Sequence, residues 1–162
     1  MDLIIRKMLE ADIPDVQYVA KKSWNATYQG IIPEDVQNSF LKVAYSDEML
    51  KKRIDQIIFV AEHDEKIIGF INLKETEQPN TYDLSAIYIL PDYQGKRIGS
   101  RLIAHSIEPI KNFEKIFLEV EKDNINAVNF YKKLGFKIVD EYNDDFDGHI
   151  LRTLRMSLSK VR

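Results

Sequence analysis

The sequence predicts an α/β (α+β) fold in one domain over residues 1–162, a central mixed, mostly antiparallel sheet of about six to seven strands flanked by helices. Three observations predict it. Strand-like and helix-like apolar patterns follow one another in the order β, helices, β-β-β, α, β, α, β-β. A helical segment follows the most apolar strand and leads to another strand, which calls for a crossover. No linker, internal repeat or low-complexity tract interrupts the 162 residues, a length that suits a single core.

Each element has its own signal. Leu3 to Lys7 reads as a short strand. Asp12 can cap a helix, Pro14 is tolerated in its first turn, and Ile13, Val16, Ala20 and Trp24 recur at helical spacing. The run YQGIIPEDV breaks that helix; a second spans Pro33 to Phe40 and a third follows the cap Ser46 toward Gln56. Two strands meet in a hairpin at Asp64-Glu65-Lys66. Tyr82 to Leu90 is the most apolar strand and is expected to be central. Ile98 to Lys111 is expected as a helix with Leu102, Ile103 and Ile107 inward. Ile116, Leu118 and Val120 alternate along Lys115 to Glu121. Asn124 caps a helix ending at Leu134, with Gly135 suited to a left-handed C′ position. Phe136 to Tyr142 and Ile150 to Leu158 close the chain around NDDFDG.

Composition narrows the function. The chain is 44% hydrophobic and 30% charged, an ordinary globular balance that can bury a core. Absence of cysteine removes disulfides, thiolate metal sites and a cysteine nucleophile, and fits a cytoplasmic location. No stretch approaches a membrane span, and a net charge of −3 with dispersed Lys and Arg is no footprint for nucleic acid. His63, His105 and His149 show no ligand spacing, so no metal is expected.

The segment Gln94-Gly95-Lys96-Arg97-Ile98-Gly99-Ser100 joins the apolar strand to a helix. A helix start offers unpaired N–H groups and partial positive charge, and glycine lets a ligand approach the backbone. Together they suit a phosphate, though such a corner also occurs without one. It is not a P-loop, and it lacks the third glycine and acidic partner of a dinucleotide fingerprint.

Two segments resemble the GNAT N-acetyltransferase superfamily. The corner is similar to its Gln/Arg-x-x-Gly-x-Gly/Ala signature, matched at Gln94 and Gly99, with Arg97 in place of the first glycine and expected in an ordinary conformation. NINAVNFYKKLGF, Asn124 to Phe136, resembles its Asn-x-x-Ala-x-x-x-Tyr-x-x-x-Gly-Phe helix. The resemblance implies splayed central strands and acetyl-CoA as co-substrate. The pyrophosphate would rest on Gly95, Lys96, Arg97, Ile98, Gly99 and Ser100, and the pantetheine arm would pair with Ile87, Tyr88 and Ile89 and with Asn124. It implies direct transfer to a primary amine of polyamine, lysine or N-terminal type. Tyr131 would be the donor to the leaving thiolate, with an N–H such as that of Ile89 on the oxyanion.

The resemblance implies a base carboxylate on the central strand in the stretch matching Ser85, which is a serine here; Asp83, two residues earlier on the same strand face, ranks ahead of Glu119. Trp24 and Tyr28 either line an acceptor pocket or belong to the core. By its residue type alone Tyr131 packs in the core, whereas the resemblance favours the donor role; Asn124 can be cap, ligand or both, and Asp83 can be a solvated strand-end charge. Asp144, Asp145 and Asp147 form either a solvated turn or an attraction for a cationic amine. The expected partner is a small-molecule or peptide amine, with no nucleic acid or membrane, and a homodimer is admitted. A non-catalytic acyl-CoA sensor and a nucleotide-binding module remain the competing readings.

Overall fold

The structure, a computed structural model, describes residues 2–160. Its strands hydrogen-bond in the order β1-β2-β3-β4-β5-β7-β6, with β1 at Ile4–Lys7, β2 at Ile57–His63, β3 at Lys66–Glu75, β4 at Thr81–Ile89, β5 at Lys115–Glu121, β6 at Lys137–Phe146 and β7 at His149–Ser159. Five α-helices accompany them: α1 Ile13–Tyr28, α2 Glu34–Ala44, α3 Asp47–Arg53, α4 Ile98–Ile107 and α5 Ile125–Lys133. The predicted mixed, mostly antiparallel sheet is present. The chain forms two compact units; one runs through Leu73 and resumes over Ala86–Pro109, the other comprises Lys74–Ser85 and the chain from Ile110 onward.

In the first unit β1 and β2, then β2 and β3, pair antiparallel. The hairpin between β2 and β3 turns on Asp64 and Glu65, both at positive φ, as a tight two-residue turn requires. Val16, Val19, Leu50, Ile58, Ile68, Phe70 and Leu102 are fully buried, each such side chain contributing about 1.5–3 kcal/mol. Gly69 permits a close strand approach, since a Cβ there would stand 3.0 Å from the Tyr88 carbonyl oxygen. Ser46 caps α3 by accepting the Met49 N–H at 3.1 Å. The Asp12 carboxylate turns back instead of capping α1, accepting from the Leu9 N–H and from Arg6. The helix expected to reach Lys111 stops at Ile107 and tightens into a 3-10 turn at Glu108–Ile110, where Pro109 has no N–H to offer.

In the second unit β4 and β5 run parallel but pair only over Thr81–Asp83 with Lys115–Phe117. The pairing ends after three residues, although β4 has nine and β5 seven. β5 pairs with β7 along its whole length and β7 with β6, with a bulge between Ile138 and Asp140. Asn124 caps α5, and Gly135 follows it at φ 104, as expected. The closing hairpin differs from expectation. Asp144 and Asp145 lie on β6 opposite Leu151 and Ile150, and the turn contracts to Asp147-Gly148. The paired backbone overrides the turn preference of the aspartates. No helix among the described residues is long and apolar enough to cross a membrane.

Candidate active site

The strand-to-helix corner belongs wholly to the first unit. After β4 a 3-10 turn at Pro91–Tyr93 brings the chain round, and Gly95 stands at φ 79 with open space where a Cβ would be. Arg97 is the N-cap of α4 at φ 62, ψ 17. This overturns the expectation of an ordinary conformation. Here Arg97 adopts the left-handed geometry that glycine adopts freely, at a cost of about 1–2 kcal/mol. Among the described residues, no side chain accepts from the amides of Gly95 to Ser100; the first N–H of α4 with a backbone partner is that of Arg101, to Arg97 O.

Just upstream, the Ile89 carbonyl accepts from Ser23 Oγ and Gln94 Nε2, both at 3.3 Å. Strand-like pairing along Ile87–Ile89 therefore falls to the other backbone groups, since that oxygen is taken twice. Gln94 thus acts on its own strand as well as the corner. Trp24 is buried and donates from Nε1 to Tyr88 Oη at 2.9 Å. Its ring lies 4.6 Å from Tyr28 and 4.7 Å from Phe40. Trp24 and Tyr28 do come together, but the indole N–H is engaged by Tyr88. Burial raises the pKa of Tyr45, against hydrogen bonds from Arg53 and Tyr88 that lower it.

The second unit holds the catalytic candidates. Tyr131 on α5 is half-buried, its ring 5.3 Å from Phe130 and 5.7 Å from Phe136. Burial pushes its phenol well above the usual tyrosine range, so it holds its proton at any physiological pH. Asn124 Oδ1 accepts from the Ala127 N–H at 3.3 Å, a cap that leaves its side-chain nitrogen outside that bond. Where the β4–β5 pairing ends lies a cavity of about 310 Å³ lined by Lys74, Asp83, Ser85, Phe117, Glu119 and Arg155. Asp83 and Glu119 are brought together there, with Arg155 reaching both, at 3.9 Å and 3.8 Å. The Tyr142 phenol is pushed up to about 12 by burial and by its hydrogen bond to Glu119.

Arg155 and Tyr142 escaped sequence reasoning. Their signal lies in strand register: Arg155 stands opposite Glu119, and Tyr142 opposite Thr153. Neither pairing is readable from local spacing.

The acetyltransferase (GNAT) family matches residues 23–136. The chain belongs to the GNAT family. It is an acetyltransferase, and acetyl-CoA is its acetyl donor. A spermidine N(1)-acetyltransferase of Thermoplasma acidophilum is 34% identical over 155 residues, covering 90% of this chain and 95% of that protein. One of Escherichia coli is 28% identical over 159 residues, covering 94% and 84%. A crystal structure of PaiA N-acetyltransferase from Thermoplasma acidophilum in complex with coenzyme A is similar with a TM-score of 0.85 and 31% identity, covering 99% of this chain and 100% of that one. The ribosomal-protein-S18-alanine N-acetyltransferase from Escherichia coli shares the fold, with a TM-score of 0.74 at 18% identity and coverage of 98% and 94%. Nothing in these comparisons supports a non-catalytic sensor.

Proposed function

We propose that this GNAT enzyme acetylates a primary amine of a small polyamine, and that residues 1–162 act as one N-acetyltransferase domain in the cytoplasm. The observation that carries the acceptor reading is the cavity walled by Asp83 and Glu119, because an alkyl ammonium seeks carboxylates. The spermidine acetyltransferases among the relatives support it. Lysine side chains and protein N-termini are the alternatives that a substrate panel separates from it.

The corner fits the acetyl donor. Amides from Gly95 to Ser100 have no side-chain acceptor among the described residues, Gly95 leaves the approach open, and Lys96 and Arg97 add positive charge. These residues would hold its pyrophosphate, with Ile87, Tyr88, the Ile89 N–H and the Asn124 side chain on its arm. When bound, the donor supplies an activated acetyl thioester.

The chain's own groups solve two proton problems. An alkyl amine of pKa near ~10.4 arrives charged and must lose a proton to attack. Asp83 is the proton acceptor, through water, with Glu119 second. Tyr131 is the donor toward sulfur. Its phenol sits above a thiol's pKa of about 8.5, so it stabilises the leaving thiolate by a hydrogen bond while retaining its proton. The Ile89 N–H is the candidate polarising group for the carbonyl.

Release of CoA thiol is to be measured with spermidine, 1,4-diaminobutane, lysine peptides and amino acids. Turnover confined to peptides would overturn the polyamine assignment. Tyr131→Phe should keep acetyl-CoA affinity and lose about 10²-fold or more in kcat. A Tyr131→Phe kcat equal to that of the wild type across pH 6 to 9 would remove the donor role.

A further inference from the structure

Arg155 is poised between two carboxylates and closes on neither. It stands on β7 opposite Glu119 of β5 and Asp140 of β6. Its guanidinium lies over the Phe117 ring, 4.3 Å from the centroid. Nη2 is 3.9 Å from Asp83 Oδ1, and Nη1 is 3.8 Å from Glu119 Oε1. Charge-assisted hydrogen bonds run nearer ~2.7–2.9 Å. The three side chains are 33%, 45% and 51% exposed in the order Arg155, Asp83, Glu119, so these contacts are weak. The surrounding charge is acidic. Lys74 and Arg155 face Asp83 and Glu119, while β6 adds Asp140 opposite Arg155 and Asp144, whose field reaches Tyr142.

We propose that Arg155 is a resident cation that the acceptor's ammonium displaces, and that it thereby sets acceptor affinity. This rests on the amine-acceptor reading above. An amine of pKa near ~10.4 approaches as an ammonium ion. That ion is compact and carries donors in several directions, whereas the planar guanidinium cannot close on both carboxylates from its seat on Phe117. The ammonium replaces two long contacts with short ones, and Arg155 gives up its place between the two carboxylates. Without substrate, Arg155 balances the Asp83–Glu119 pair and holds the two side chains toward the cavity.

The test is calorimetric titration of the full chain, saturated with CoA, with 1,4-diaminobutane. Arg155→Gln and Arg155→Met should each tighten binding by about three- to fivefold, the scale of an exposed ion pair. Asp83→Asn should weaken it by a similar factor. A merely structural arginine would lower the melting temperature and give no gain in affinity; unchanged or weaker binding in both folded Arg155 variants overturns the proposal. Should neither variant fold, the wild-type chain labelled at arginine nitrogens serves, with the Arg155 Nε signal identified by its loss in Arg155→Lys. Diamine should shift that signal, and an unmoved signal overturns the proposal. CoA release is followed in parallel. Displacement without release sinks the acceptor reading and keeps the resident cation. Release with no gain in affinity on removing Arg155 does the reverse.

Discussion

Arg6 and Arg155 each face two carboxylates, in different units of the chain. Arg6 closes on Asp12 through both of its terminal nitrogens, at 2.7 Å and 2.9 Å, and reaches Glu62 at 3.0 Å. Asp12 also accepts the Leu9 N–H, and only 10% of its side chain is exposed. That carboxylate's acceptor capacity is used within the fold, and the cluster ties β1 to the turn before α1. Arg155 spans 3.8–3.9 Å gaps at the wall of a cavity. Identical chemistry thus serves two ends: closed geometry stabilises the fold, and open geometry leaves charge available to a ligand.

The comparison breaks first at Asp12. Asp12→Ala should cost about 2–3 kcal/mol, as the charge-assisted bonds to Arg6 and Leu9 are lost together. Each kcal/mol lowers Tm by about 2–4 °C in a chain of this size, which a calorimetric scan reads. A Tm unchanged within error would mean that Arg6 is no better anchored than Arg155. Acid sharpens the contrast. Arg6 is the main cause holding the Asp12 carboxyl below the usual aspartate range, and the Leu9 N–H adds to it against burial. Its contribution is therefore complete above about pH 4 and fades as pH falls through the lower folded value. Asp12→Asn should flatten that acid limb in a denaturation series.

A third arginine gives a smaller effect of opposite sign. Arg97 carries its strain in the backbone, at φ 62. Arg97→Gly relieves that strain but loosens the unfolded chain, for a net gain of about 0.5–1 kcal/mol in urea denaturation. Loss of stability would show that the Arg97 side chain is worth more than its conformation costs. The smallest effect belongs to Arg155, where Arg155→Gln should shift stability by no more than about 0.5 kcal/mol, because its ion pairs are long and solvated. A loss on the scale of Asp12→Ala would place both arginines in the same structural class.

Most element positions were legible because their signals are local. β5 and the Asn124-capped α5 fall where spacing puts them, and the hairpin follows from the polar break Asp64-Glu65-Lys66 between apolar runs, with Lys66 itself opening β3. The misplacements share a cause in partners distant along the chain. Pairing with β7 draws Asp144 and Asp145 into β6, and Arg6 with the Leu9 amide turns Asp12 away from its helix. The corner at Gln94–Ser100 was legible as a motif, while the left-handed φ of Arg97 was not, because only the closing of strand onto helix imposes it.

Local signals in the sequence carried the class of fold and the position of the strand-to-helix corner, since periodicity and capping depend on near neighbours, while the family rests on the resemblance of two motifs and the family match. Tertiary structure alone decided that Asp83 and Glu119 share one cavity, that Arg155 stands between them and that Glu119 lies near enough to Tyr142 to raise its phenol. Those meetings depend on which strands pair and in what register, and a one-residue slip in β7 would turn Arg155 to the opposite face.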